Sequence, residues 1–232
     1  MHIEAANPKG SSLQEADWIS ELHTIDRYPS AWIARLDAVD GPVDELLAKI
    51  ADYPGWRGFR VRVGERHDEN ERLERNFGGL FACAELLNER SGVLEFAVGP
   101  YQLGQVADLA KIFPELRIVV DHLGMVASDA GERDRWPELI QSLSKHQNCS
   151  VKLSGLWRIS ATWDPEALRP FLDKVLSVFG ASRCLYGSNY PVERAYLSIQ
   201  SQLTALRTVF ETQPSRSVEM MMAENAREIY RL

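Results

Sequence analysis

Several polar residues stand where short apolar runs end, and their types could grip an anionic or carbonyl substrate and hold water against it. In the segment RCLYGSNYPV, residues 183–192, an apolar run reaches a turn and a proline with Asn189 at its end. An amide can orient water there but cannot take its proton at neutral pH, and general-base help is typically worth about 10²–10⁴ in rate. His122 closes the apolar run IVVDHLG, a strand-end position that suits a site role, with a hydrogen-bonded core histidine as the alternative. On the two-residue period of a strand, Asp121 falls on the face opposite His122 and is expected to orient backbone or a helix terminus.

The same period applied to GFRVRV groups Arg60 and Arg62 against Phe59, Val61 and Val63, so the arginine face is expected to point inward. In SVKLSG it turns Lys152 and Ser154 inward, and in MHIEAA it turns His2 and Glu4 together. Two readings remain open for this polar interior. The groups could form a paired ionic layer, which is the preferred reading for Arg62. Alternatively Arg60 and Lys152 are deep cations awaiting substrate, since buried unpaired charge costs several kcal/mol. Tyr101, just past VLEFAVG, is a further candidate for holding substrate, with plain loop packing as the alternative. The expected catalytic pair is His122 and Asn189, and the substrate-binding set is Arg60, Lys152, Tyr101 and Glu4.

Stronger motifs are missing. His23 and His146 end helical stretches, and His67 lies in the charged run GERHDEN. There is no HxH, no HExxH and no histidine–carboxylate cluster, so no metal ligands are assigned. LSGL and GSNY lack the GxSxG elbow of a serine nucleophile, and no strand is followed by GxGxxG or GxxxxGK.

The elements that must position these residues alternate. Strand-like runs open at residues 1, 31, 56, 93, 116, 149 and 183, and helical stretches lie between them. Ser12 and Glu15 read as a capping box, Pro42 opens one helix, and Asp164–Pro165 opens another that Gly180 stops. Seven strands in βα rhythm imply a parallel sheet, and without a nucleotide fingerprint the α/β (β/α)₈ barrel leads, as one domain over 1–232.

The 232 residues are 45% hydrophobic, 25% charged and 9% aromatic, enough for one large core. A net charge of −7 without basic clusters gives nucleic acid or an anionic membrane no electrostatic support, so the expected partner is a small molecule. Cys83, Cys149 and Cys184 have no pairing pattern and read as packing residues of a reducing compartment. No apolar run is long enough to span a bilayer and no leader pattern opens the sequence, so the expected location is cytoplasmic.

Taken together, IVVDHLG, VKLSGL and RCLYGSNYPV, with EAA at 4–6, GFR at 58–60, QLGQVADLAKIFPELRIVVDHLG at 102–124 and the closing ENAREIYRL, resemble the amidohydrolase-related barrel hydrolases. The similarity covers nearly the whole chain and is nearest to the sugar-lactonase and 2-pyrone-4,6-dicarboxylate-lactonase branch. The resemblance implies hydrolysis of a cyclic ester by activated water, with His122 polarising and Arg60 gripping a small, anionic lactone. It also implies a divalent metal such as zinc in some members, for which the ligand pair is not present in this sequence. Two departures follow. The family's first strand carries HxH, whereas this sequence opens on what resembles the second, leaving seven strands of eight and open edges that invite homo-oligomers. The family's Gly-Ser-Asp-Trp-Pro reads GSNYP here, so Asn189 stands in place of the water-activating aspartate. Impaired hydrolysis, or a non-catalytic binder on the same barrel, is the expected consequence.

Overall fold

The computed structural model describes residues 1–4, 12–36, 43–62, 73, 79–126 and 130–232. Seven parallel strands lie side by side in chain order: β1 (His2–Ile3), β2 (Trp32–Leu36), β3 (Trp56–Arg62), β4 (Val93–Ala97), β5 (Arg117–Val120), β6 (Cys149–Leu153) and β7 (Cys184–Tyr186). Every neighbouring pair is parallel, and helices cross between most of them, so the sheet is a TIM-barrel-like α/β fold as the alternation predicts. Each expected strand forms, shorter than its apolar run; β7 keeps only Cys184–Tyr186 of RCLYGSN, and residues 5 and 6 of MHIEAA lie outside the described residues. Among the described residues no strand pairs with the outer edge of β1 or of β7.

Helix ends follow their local chemistry. The Asp164 side chain accepts from the Glu166 amide at 3.3 Å at the start of the helix Pro165–Phe179, and Gly180 ends it at φ 70°. The Glu15 carboxylate accepts from the His2 ring at 3.0 Å, tying the helix Ser12–Asp26 to β1. That contact separates His2 from Glu4, which the strand period had grouped.

Two apolar layers flank the sheet. On its outer face Phe59, Val61, Leu94, Phe96, Ile118, Val120, Val151 and Leu153 pack under the helices in the main core. Each such side chain contributes about 1.5–3 kcal/mol on burial. On the inner face Ile33, Val93, Val119 and Leu185 form a smaller cluster with Tyr230, whose helix (Asn225–Tyr230) plugs that end of the sheet. Asn225 pins the plug by donating to the carbonyls of Ala181 and Cys184, both at 2.7 Å. Cys83, Cys149 and Cys184 are buried free thiols; burial pushes the last two up to about 12, so they behave as the packing residues expected. No helix among the described residues is long and apolar enough to cross a membrane.

Candidate active site

Register aligns the polar interior. Arg60 of β3 lies level with Glu95 of β4, which lies level with Val119 of β5, which lies level with Ser150 of β6. Since Val119 faces inward, Asp121 two residues on faces inward as well. The expected assignment of Asp121 to the outer side is therefore wrong: its carboxylate is the centre of the interior network.

Arg60 holds Glu4 through Nε at 2.8 Å and Nη2 at 2.6 Å, and also donates from Nη2 to the Glu4 carbonyl at 2.7 Å. Its Nη1 reaches Asp121 Oδ2 at 3.2 Å. The Lys152 ammonium lies 2.7 Å from Asp121 Oδ1 and 3.0 Å from Glu95 Oε1, and the Tyr230 hydroxyl donates to that same Glu95 oxygen. Burial opposes the Asp121 charge, but Lys152 and Arg60 outweigh it and hold its carboxyl at about 2. Burial likewise opposes the Lys152 charge, yet Asp121 and Glu95 raise its pKa above the ordinary value. For Glu95 burial prevails over Lys152 and its pKa is raised. The paired ionic layer, one of the two readings open from sequence, is what Arg60 and Lys152 build.

His122 stands just outside this layer. By strand alternation it would point away from the interior, but His122, Leu123, Gly124 and Met125 all have positive φ, from 47° to 70°, and the reversed chain carries the imidazole over the end of β6. Left-handed backbone costs a non-glycine residue on the order of 1–2 kcal/mol and persists where the surroundings enforce it. Here Trp136 donates to the Leu123 carbonyl at 2.7 Å, and Gly155 (φ 65°) makes room, since a Cβ at 155 would sit 2.7 Å from the His122 ring. His122 Nδ1 is 2.8 Å from Ser154 Oγ. Burial lowers its pKa to about 4, with Arg60, Lys152 and Arg158 adding to the effect and Asp121 opposing it, so the imidazole is neutral at pH 7.

Asn189 follows β7 with φ 49°, a conformation asparagine tolerates. Its Nδ2 donates to Glu193 Oε1 at 3.4 Å, while Trp163 Nε1 donates to Glu193 Oε2 at 2.7 Å. The Gly155 and Leu156 amides also bond to Glu193, whose side chain is fully buried. Burial outweighs these donors and raises the Glu193 carboxyl to about 7. Gly155 thus has the His122 ring on one side and Glu193 on the other, which brings His122 and Asn189 to one rim. Both remain partly exposed.

Tyr101 is not part of this arrangement. Its ring lies under the Arg135 guanidinium at 5.4 Å, against the helix Ala130–Ser144. His23 is a buried structural histidine bonded to the Pro29 carbonyl at 2.7 Å, and His67 lies outside the described residues. Sequence reading missed Glu95, Tyr230 and Glu193. The only available signal for the first was a single carboxylate inside an otherwise apolar strand.

The donors suit a divalent metal poorly. Among the described residues no group of three or more His, Cys, Asp or Glu side chains converges for one. Glu4, Asp121 and Glu95 already share two cations, and His122 Nδ1 is taken by Ser154.

Residues 16–232 match the sequence family described as Amidohydrolase. An L-fucono-1,5-lactonase of Burkholderia ambifaria is 32% identical over 165 residues, 68% of this chain and 53% of the lactonase, so the match spans about half of that relative's length. Among solved structures, an amidohydrolase from Burkholderia multivorans with bound zinc superposes at TM-score 0.80 and 20% identity, covering 99% of this chain and 82% of that one. A probable 2-pyrone-4,6-dicarboxylic acid hydrolase from Acinetobacter baumannii with citric acid bound follows at TM-score 0.73 and 14% identity, with the same coverages.

Proposed function

Because this chain belongs to the amidohydrolase family, we propose that it hydrolyses a small lactone, opening the cyclic ester with water at the rim formed by the ends of β5, β6 and β7. One observation carries the reading: the neutral His122 imidazole, swung out of its strand onto Ser154 and across Gly155 from the group that holds Asn189.

With the Ser154 hydroxyl donating to Nδ1, the imidazole proton sits on Nε2 and can donate to the ester carbonyl oxygen. A placed donor of this kind is typically worth about 10²–10³ in rate, because it meets the charge that develops on that oxygen. Asn189 Oδ1 accepts from the attacking water and orients it toward the carbonyl carbon. The water adds, the ring C–O bond breaks, and the departing oxygen receives the proton through solvent, yielding the open hydroxy acid. Among the described residues no free carboxylate stands at the rim to take that proton directly, which forgoes about 10²–10⁴ in rate.

Arg60, Lys152, Glu4, Asp121 and Glu95 form a charged floor beneath the substrate. The test is acid release from a panel of aldonolactones and pyrone lactones. The comparison is between wild type and the double variant Asn189→Asp with Glu193→Gln, which exchanges amide and carboxylate at constant charge. Slow turnover by wild type and a gain of about 10²-fold in the exchange variant are expected. If neither protein opens any lactone, the hydrolase reading is abandoned in favour of a binder on the same barrel.

A further inference from the structure

The buried Glu193 carboxylate is held by neutral donors: the Trp163 indole, the Asn189 carboxamide and the amides of Gly155 and Leu156. It lies one helical turn after Asn189, and its own amide donates to the Asn189 carbonyl at 3.1 Å, so the short turn keeps both side chains on one side. We propose that Glu193 is a positioning residue for the rim, fixing the Asn189 carboxamide with its nitrogen turned inward and its oxygen presented to water.

The chemistry is one of donors and acceptors. An ionised carboxylate only accepts, so the part of Asn189 that can face it is the NH₂ group, and Oδ1 is left pointing elsewhere. A protonated carboxyl gains an O–H donor and can bind Oδ1 instead, which would turn the amide around and remove the water acceptor. Burial sets the Glu193 carboxyl at about 7, so the two arrangements exchange near neutrality. The titratable group facing it from β7 is Tyr186, whose phenol is pushed up to about 12 by burial and by the Glu193 charge and donates to Gln202 at 3.1 Å; it stays neutral throughout this range. The loop after β6 contributes backbone amides, the Trp163 indole and the Arg158 guanidinium, which stays charged, and the turn after β7 contributes Asn189; none of these titrates in this range. Across Gly155, His122 is neutral until about pH 4 and does not change charge in the same window.

This inference rests on the reading of Asn189 as the water-holding group, but its test does not need turnover. In ¹⁵N-labelled protein the Trp163 indole N–H and the Asn189 side-chain NH₂ pair, assigned with Trp163→Phe and Asn189→Asp, are followed from about pH 5 to about pH 9. Both signals are expected to move with one common midpoint in wild type, and both to lose that transition in Glu193→Gln. An Asn189 pair that stays fixed while the Trp163 indole titrates, or two signals that never move, overturns the proposal. The wild-type titration decides the matter even if Glu193→Gln does not fold. Where a lactone is turned over, kcat is expected to fall below the same midpoint, and Glu193→Gln to lower kcat about tenfold with KM nearly unchanged. A positive titration with no lactone turned over would sink the hydrolase reading and leave the pairing of Glu193 with Asn189 standing.

Discussion

The floor of the barrel and its rim solve the problem of buried polarity in opposite ways. On the floor, Glu4, Asp121 and Glu95 share Arg60 and Lys152, and Asp121 is held ionised far below neutral pH. At the rim, His122 is held neutral, Asn189 carries no charge, and Glu193 sits near its midpoint at physiological pH. The charges of Asp121, Arg60 and Lys152 are therefore fixed around neutrality. The rim, built on turns with left-handed residues, is where protons and substrates can act.

The contrast breaks most severely at Lys152. Lys152→Met would leave Asp121 and Glu95 without their shared cation and is expected to destabilise the fold by about 3–5 kcal/mol, measured by urea unfolding. A loss under about 1 kcal/mol would mean that the floor is not an ionic layer. Gly155→Ala comes next, because its Cβ would meet the His122 ring in a backbone conformation that disfavours alanine. A loss of about 1–3 kcal/mol, with weaker turnover through the displaced imidazole, is expected in the same unfolding and kinetic assays.

Smaller, and sharper, is the pH dependence of stability. The Glu193 carboxyl is raised from 4.5 to about 7, so the folded state binds more protons than the unfolded one between these values and stability falls as pH rises through that window. The His122 imidazole is lowered from 6.5 to about 4, so stability falls as pH drops through that window. Over the shared range the two slopes oppose each other in wild type. Glu193→Gln should expose the histidine slope and His122→Gln the glutamate slope, each on the order of 2 kcal/mol in melts or urea unfolding across the range. Parallel pH profiles for wild type and both variants would remove the electrostatic distinction between floor and rim.

The seven strands were legible because each carries apolar residues at strand period between helices with ordinary caps, and the inward direction of Arg60, Lys152 and Ser154 followed from that period alone. The site was less legible. At residues 121 and 122 the period was anchored on the wrong residue, because four successive left-handed residues reverse the chain, and nothing in HLGM apart from Gly124 signals this. Glu95 hides in VLEFA, which reads as a wholly buried strand, and Tyr230 reaches it from a helix 135 positions away. Glu193 lies four residues beyond Asn189, a spacing that carries no pattern until the turn between them is seen. Tyr101 had the right address, just past β4, but its ring is taken by Arg135 from a neighbouring helix.

The most direct test of lactone opening at the rim is turnover by wild type and His122→Gln, side by side, with folding checked by the same melts. Hydrolysis by wild type that drops about 10²-fold in the folded variant is the predicted result. Equal rates in the two proteins would contradict it, placing any lactone chemistry away from the imidazole that leaves β5.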